Sequence, residues 1–261
     1  MSKNHYQKLR KNSPFLLTAE HASARIPREY ARLGLDQECR QGAKDLFDPG
    51  SLAVLRILEN KLAASYLYSN ISRLVVDYNR VLDGRNKKQN TFHSGAMKKE
   101  LLVEKNGQEK VVTIPANSFS DEQDFSSEER KRYMKYVIEY REDGIRMLSR
   151  IKDKHKKAII ISIHSFFPIY NGDKRKVDIG VLYDKSQKIG KQIVMSLQKN
   201  TKLNIGDNAP WKMSDVDGGI FGHLQGRNVE LVAFDINNKH LKSQNDIEKI
   251  SKLIYQAIKN L

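Results

Sequence analysis

Four groups of polar residues follow apolar, strand-like segments, and their side-chain types could support catalysis. They are Glu20-His21, Asp77-Asn79-Arg80, His164-Ser165 and Asp235-Asn237. Two histidines and a carboxylate can bind zinc while leaving one coordination position open, where water is activated for hydrolysis. His21 and His164 are therefore the candidate zinc ligands, although a histidine at a strand end is also common without a metal.

The other polar residues suggest how a substrate is held and how a proton is moved. Arg80 and Asn79 combine a bidentate cation with an amide, which suits a carboxylate and a developing oxyanion, although a salt bridge would also occupy Arg80. Asp235 ends an apolar run in which burial should raise its pKa and make it a general base, the alternative being a helix cap. Arg73 and Arg175 either bind a second substrate carboxylate or are structural.

Other catalytic classes are poorly supported. Cys39 has no histidine near it in the sequence, and no serine lies in a G-x-S-x-G motif. Neither GxGxxG nor GxxxxGK[ST] occurs, so a nucleotide cofactor is not expected.

Strands and helices alternate along the chain, as in parallel sheets that bind ligands beyond the carboxyl ends of their strands. Apolar runs predict strands at 13–19, 65–67, 74–76, 158–163, 177–183 and 229–236. Apolar residues at helical spacing predict helices at 51–62, 126–156, 186–200 and 246–259. We therefore predict an α/β fold with a mostly parallel sheet.

Residues 82–124 interrupt this alternation with a long polar stretch that contains two short apolar pieces, 101–103 and 111–114. We expect a hairpin excursion that forms a lid, or else a disordered loop. No Pro-, Gly- or Ser-rich break divides the chain, so residues 1–261 are predicted to form a single domain.

The chain is strongly basic, with a formal net charge of +15. Its lysines are spread along the sequence, and short runs such as Lys98-Lys99 suggest solvated loops. This spread favours solubility or genomic bias as the origin of the charge, and the alternative is a polyanion site or the steering of an anionic substrate. The expected partner is a small anionic substrate, and nucleic acid is not expected. A lone cysteine, no apolar signal-peptide core and no apolar run of membrane-spanning length predict a soluble, cytoplasmic protein.

Several sequence blocks, in one order, resemble the N-formylglutamate amidohydrolase family, whose fold is related to zinc carboxypeptidases and aspartoacylases. The blocks are EHASARIP (20–27), FDPGS (47–51), SRLVVDYNR (72–80), IPANSF (114–119), IHSFFP (163–168), DIGVLYD (178–184), GDNAPW (206–211) and VELVAFDINNKHL (229–241), with His223 before the last. The resemblance covers most of the chain. It implies a three-layer α/β fold, with a mixed sheet between two layers of helices.

The resemblance also implies a mechanism, in which one zinc ion per chain activates water for attack on an amide or formamide carbonyl. His21 and His164 correspond to zinc ligands. Asn79 and Arg80 correspond to the pair that binds the substrate carboxylate and the oxyanion, and Arg175 corresponds to a further carboxylate contact.

This sequence departs from the related patterns in two places. Ala24 stands where the carboxypeptidases have the glutamate of their HxxE ligand pair, so the third ligand must come from elsewhere. Asp48, in the block that resembles the family's aspartate-glycine motif, is preferred to Glu20 or Asp45. Near the C-terminus the family's glutamate, isoleucine and arginine are replaced by aspartate, isoleucine and asparagine at 235–237, so N-formylglutamate itself is one candidate substrate.

The leading hypothesis is zinc-dependent hydrolysis of an N-formyl or N-acyl amino acid. One alternative is a polyanion-binding protein that kept the fold without turnover. Another is a zinc amidase or peptidase that acts on γ-glutamyl or muropeptide bonds.

Overall fold

A seven-stranded mixed sheet forms the centre of the computed structural model, which describes residues 3–10, 12–79, 98–117, 131–216, 219–226 and 228–261. The order of its strands is β1 (His5–Lys8), β3 (Ser65–Ser69), β2 (Phe15–Ala19), β6 (Ala158–Phe166), β11 (Val229–Asn237), β9 (Ile179–Leu182) and β10 (Ile205–Asp207). Strands β3, β2, β6 and β11 are parallel, whereas β1, β9 and β10 run in the opposite direction. The predicted α/β fold with a mixed, mostly parallel sheet is confirmed.

Helices cover both faces of this sheet. They are α1 (Gln37–Gly42), α2 (Ser51–Leu62), α3 (Glu139–His155), α4 (Gln187–Asn200) and α5 (Gln244–Ile258), and a π-helical segment, Tyr133–Ile138, leads into α3. Helices α2, α4 and α5 contribute to the apolar core on one face, and α3 contributes to the core on the other. Successive strand residues serve opposite cores, because Leu16 and Ile160 belong to one and Leu17 and Ile161 to the other.

The central strands consist mainly of consecutive apolar residues for this reason. A strand with helices on both faces has no solvent-facing side, so it reads as a continuous apolar run rather than as an alternation. Each fully buried leucine or isoleucine contributes about 2 kcal/mol of hydrophobic free energy. The run at 158–163 was therefore predicted correctly as a buried strand.

The described part of the predicted excursion is a β-hairpin. Its strands are β4 (Glu100–Lys105) and β5 (Gln108–Thr113), and the turn at Asn106 and Gly107 has positive φ angles of 51° and 76°. Val103 is buried in the apolar core on the face of the sheet that α3 covers, and it forms an isolated β-bridge with Ala43. The rest of the excursion, 82–97 and 118–124, lies outside the described residues.

The predicted strand at 74–76 is wrong. These residues are fully buried, as their apolar character requires, but they form a turn instead of pairing with the sheet. The amide of Val75 donates to the carbonyl of Ser72 at 2.9 Å, and the side chain of Asn117 donates to the carbonyl of Leu74 at 2.8 Å. Because a turn and a buried side chain satisfy these backbone groups, the segment needs no neighbouring strand.

The other predicted strands correspond to β2, β3, β6, β9 and β11, and three predicted helices correspond to α2, α4 and α5. The described part of the fourth, 131–155, is also helical. Two outer strands, β1 and β10, were not predicted, because they have only four and three residues and carry polar side chains. No helix in the described ranges is long and apolar enough to cross a membrane.

Candidate active site

The carboxyl ends of β2, β6 and β11 open into a cavity of about 500 Å³. His21 lies two residues beyond β2, and His164 lies within β6 in register with Asp235 of β11. The side chains of Phe166 and Trp211 form part of the cavity wall. Three of the polar groups selected from the sequence therefore meet where α/β sheets bind their ligands.

The carboxylate of Asp48 lies close to both histidine rings. Its Oδ2 atom is 2.9 Å from Nδ1 of His164 and 3.5 Å from Nδ1 of His21. One potential ligand atom from each of the three residues lies within 4.8 Å of the others, as in groups that can hold a metal ion. Of the three candidates for the third ligand, Asp48 is the one found in this cluster.

The start of α2 determines the position of Asp48. The backbone amide of Asp48 donates to the carbonyl of His21 at 2.9 Å, and the backbone carbonyl of Asp48 accepts a hydrogen bond from the Ser51 hydroxyl at 2.8 Å. Glycine is required at position 50, because the φ angle there is 83° and a Cβ atom would lie 2.6 Å from Cβ of Leu241.

A carboxylate supports the outer nitrogen of each histidine ring. Nε2 of His21 is 2.8 Å from Oδ1 of Asp77, and Nε2 of His164 is 3.3 Å from Oε2 of Glu20. Such a contact fixes the ring orientation and directs the other nitrogen toward a metal. Glu20 therefore supports a candidate ligand from behind instead of being one.

Electrostatics in this cluster favour positive charge. Burial alone would raise the pKa of Asp48, but the charge of His21 and the hydrogen bond from His164 hold it well below its usual range. Burial lowers the pKa of His164, but hydrogen bonds with Asp48 and Glu20 outweigh this effect and raise that pKa well above its usual value. The site thus stabilises a cation placed among its carboxylates.

The donor atoms of these three residues suit a divalent cation. Nδ1 of His21 is buried and makes no hydrogen bond within the described ranges, so this nitrogen is available as a ligand. Two imidazole nitrogens and one carboxylate oxygen form a donor set used by hydrolytic zinc sites, which keep a further position open.

Asp235 lies inside β11 and is buried, so the alternative of a helix cap is wrong. Burial raises the pKa of its carboxyl group to about 6, against the opposing charge of His164. Its Oδ1 atom makes no hydrogen bond to any described residue. A carboxyl group with this pKa in the cavity can both accept and return a proton near neutral pH.

Arg73 and Arg175 have different surroundings. Arg73 pairs with Asp77 at 2.9 Å and with Asp48 at 3.7 Å, so it orients the carboxylates of the cluster. Arg175 lines the cavity 4.9 Å from the ring centres of both Tyr170 and Trp211. No carboxylate pairs with Arg175 within the described part of the chain, which leaves its charge available to a ligand.

Asn79 also reaches the cavity. Its side-chain Nδ2 atom is 3.2 Å from Nε2 of His164, and its backbone amide donates to Oδ1 of Asp77 at 2.9 Å. Arg80, predicted beside it as a catalytic and substrate-binding residue, lies outside the described residues.

A second polar network beside the cavity was not found from the sequence. Asp45 accepts the Tyr170 hydroxyl at 2.5 Å and pairs with Lys98 at 3.0 Å. Lys98 was expected in a solvated loop; it does lie outside the strands and helices, but it is only partly exposed, and burial lowers its pKa. Lys44, on the cavity wall, is held by Glu104 and Glu109 of the β4–β5 hairpin. These partners are far apart in the sequence, and no local pattern links them.

The protein family of this chain is identified by its match to a family model. The model of the family FGase, described as N-formylglutamate amidohydrolase, matches residues 13–241. The chain belongs to the N-formylglutamate amidohydrolase family. Members of this family are hydrolases, so the protein is an amidohydrolase of the N-formylglutamate type.

Solved structures share this N-formylglutamate amidohydrolase fold. The gene product Atu2144 from Agrobacterium tumefaciens is 25% identical, with a TM-score of 0.78 over 99% of this chain and 96% of that chain. An N-formylglutamate amidohydrolase from Ralstonia eutropha JMP134 is 12% identical, with a TM-score of 0.68 over 98% and 96% of the two chains, a similarity that concerns the fold. No curated protein matches the sequence of this chain.

Proposed function

We propose that this amidohydrolase cleaves the amide bond of an N-formyl or N-acyl amino acid with an acidic side chain, such as N-formylglutamate. His21, Asp48 and His164 would hold one zinc ion per chain. The observation that carries the proposal is the position of the Asp48 carboxylate, which lies 2.9 Å from Nδ1 of His164 and 3.5 Å from Nδ1 of His21. The Nε2 atom of each of these histidines faces another carboxylate.

Zinc in this cluster would supply a Lewis acid that activates water and polarises the amide carbonyl. The protein contributes a general base. Asp235 takes the proton of the attacking water on its carboxylate and returns it to the nitrogen of the leaving amine. Its pKa of about 6 supports both transfers near neutral pH.

Cationic and amide groups bind the substrate. Arg175 holds the side-chain carboxylate, supported by the rings of Tyr170 and Trp211 that surround its guanidinium. Asn79 donates from Nδ2 to the oxyanion, because this atom lies at the cavity beside His164. Arg80 is proposed as its partner. Arg73 is proposed as a contact for a second substrate carboxylate through Nε, which makes no hydrogen bond to a described residue while the terminal nitrogens face Asp77 and Asp48.

The proposal also includes a single domain over residues 1–261 and a cytoplasmic location. One sheet contains both β1, near the start of the chain, and β11, near its end, which supports a single folding unit. A lone cysteine supports a reducing compartment. The proposed partner is a small anionic substrate, not nucleic acid.

A substrate panel on zinc-loaded protein tests this function. We expect turnover of N-formyl-L-glutamate or N-acetyl-L-glutamate to exceed that of N-formyl-L-leucine. Asp235→Asn should retain zinc and lower kcat by about 10²- to 10⁴-fold, since it removes the proton carrier alone. Cleavage of γ-glutamyl or muropeptide bonds in place of these would establish the alternative amidase, and salt-sensitive polyanion binding without any turnover would establish the binding protein.

A further inference from the structure

A second cavity, which we call the arginine groove, lies beside the catalytic one. Its volume is about 670 Å³, and among the described residues it shares no lining residue with the catalytic cavity. The described polar side chains that line it are those of three arginines and two glutamines, namely Arg28, Arg32, Arg40, Gln37 and Gln41. No acidic residue in the described part of the chain lines it.

The acidic residues near the groove in sequence are paired with other groups. Glu29 binds Lys135 at 3.0 Å, and Glu38 binds Lys105 at 2.7 Å. Asp36 accepts the amide of Cys39 at 2.6 Å as the cap of α1. The positive charge of the groove is therefore not neutralised by the acids that lie closest to it along the chain.

The arginines keep their donors available. Arg40 uses Nε to reach the carbonyl of Asp36 at 3.2 Å, and neither of its terminal nitrogens makes a hydrogen bond to a described residue. The side chains of Arg28 and Arg32 make no hydrogen bond or ion pair within the described ranges. By contrast, Arg10 and Arg56 both bind Glu59.

The residue types also point to anion recognition. Lysine is the commoner cation of this chain, with 30 lysines against 16 arginines, yet each cationic residue that lines the groove in the described ranges is an arginine. A planar guanidinium binds carboxylate and phosphate oxygens in pairs, which an ammonium cannot do. Glutamine side chains add neutral donors that complete such contacts.

We propose that the arginine groove is a second anion-binding site, for a small ligand that carries at least two carboxylate or phosphate groups. Three guanidinium groups carry more positive charge than one carboxylate or one phosphate group neutralises, which favours a ligand that presents several oxyanions. The site is separate from the proposed catalytic cavity and does not depend on the reaction assigned to it.

The groove nevertheless adjoins the catalytic segments. Its lining includes Ala24, three residues after His21, and Leu46, two residues before Asp48. A ligand in the groove would therefore lie against the segment that follows His21 and the segment that leads to Asp48.

Isothermal titration of the full-length protein tests the site, with fructose 1,6-bisphosphate as the phosphate probe and tricarballylate as the carboxylate probe. Zinc content is measured before and after each titration. The groove variant carries Arg28→Gln, Arg32→Gln and Arg40→Gln. A matched control, Lys188→Gln, Lys191→Gln and Lys199→Gln on α4, removes the same charge from exposed positions in the helical layer on the other face of the sheet.

We expect one-to-one, saturable binding of at least one probe, weakened about 10-fold or more in the groove variant and less than about 2-fold in the α4 control. Arg175→Gln should leave this binding unchanged, which separates it from anion binding in the catalytic cavity. The preferred probe tells a phosphate ligand from a polycarboxylate. No binding by the wild type, equal losses in both triple variants, or a loss in Arg175→Gln alone would each overturn the proposal.

Discussion

Asp77 accepts a hydrogen bond from Nε2 of His21 at 2.8 Å, and both side chains are buried. The two residues lie 56 positions apart, on segments that no local sequence pattern connects. This contact turns Nδ1 of His21 toward Asp48 and His164, and Arg73 holds Asp77 from its other side. The geometry of the proposed metal site thus depends on a residue that does not bind the metal.

Asp77→Asn should lower zinc affinity about 10- to 100-fold, since an amide supports the histidine ring less well than a carboxylate. Competition with a chromogenic chelator measures this affinity. Asp153→Asn, at an exposed position on α3, serves as the control and should leave the affinity unchanged. Equal affinities for Asp77→Asn and the wild type would show that this hydrogen bond does not prepare the site.

Arg175→Gln should raise KM for an acidic N-acyl substrate about 10- to 100-fold and change kcat little. A hydrogen bond between charged groups contributes about 1.5–3 kcal/mol, which corresponds to this range. Steady-state kinetics on N-formyl-L-glutamate give both constants. The same variant should be unaffected on N-formyl-L-leucine, and Arg150→Gln, exposed on α3, should behave as the wild type on both substrates. A fall in kcat with unchanged KM would assign Arg175 another role.

Asn117→Ala should destabilise the fold by about 2–4 kcal/mol, because it leaves buried polar groups without partners. The Asn117 side chain is 1% exposed; it donates to the carbonyls of Leu74 and Lys98 and accepts from Arg132. Urea unfolding followed by circular dichroism measures the change. Asn200→Ala, at the exposed end of α4, should cost less than about 1 kcal/mol. Similar midpoints for both variants would contradict the role given to Asn117.

Asp178 gives a pH-dependent contribution to stability. Burial would raise its pKa, but hydrogen bonds from His240 and Lys239 lower it from 3.8 to about 2. A depressed native pKa stabilises the fold above the unfolded pKa, and that stabilisation is lost as pH falls from about 4 toward 2. Asp178→Asn should therefore cost about 1–2 kcal/mol at pH 6 and progressively less below pH 4. Urea titrations at pH 6, 4 and 3 measure this difference, and a cost that stays constant would contradict it.

The central strands could be predicted from the sequence, because a strand that is buried on both faces contains a run of consecutive apolar residues. Ile160 and Ile161 face opposite cores, so both must be apolar, and the polar residues at the strand ends then mark the edge where ligands bind. The family resemblance added Asp48, which lies before a helix and not at the end of a strand. These two signals named all three residues of the candidate metal cluster.

The features that could not be predicted from the sequence depend on contacts between residues that are far apart in the chain. Burial at 74–76 was visible, but the choice of a turn over a strand depends on Asn117, more than 40 positions away. Lys98 looked like a surface lysine because its neighbours are polar, but it pairs with Asp45, which comes from another segment. Such contacts change the environment of a residue without changing the local pattern around it.

Metal content is the most direct test of the proposed zinc site. The wild-type protein is saturated with zinc, desalted and analysed beside His21→Ala, His164→Ala and His155→Ala, the last at the end of α3 away from the cavity. We predict about one zinc per chain in the wild type and in His155→Ala, and less than about a tenth of this in the other two variants. No zinc in the wild type, or equal zinc in all four proteins, would contradict the proposed site and the hydrolytic mechanism built on it.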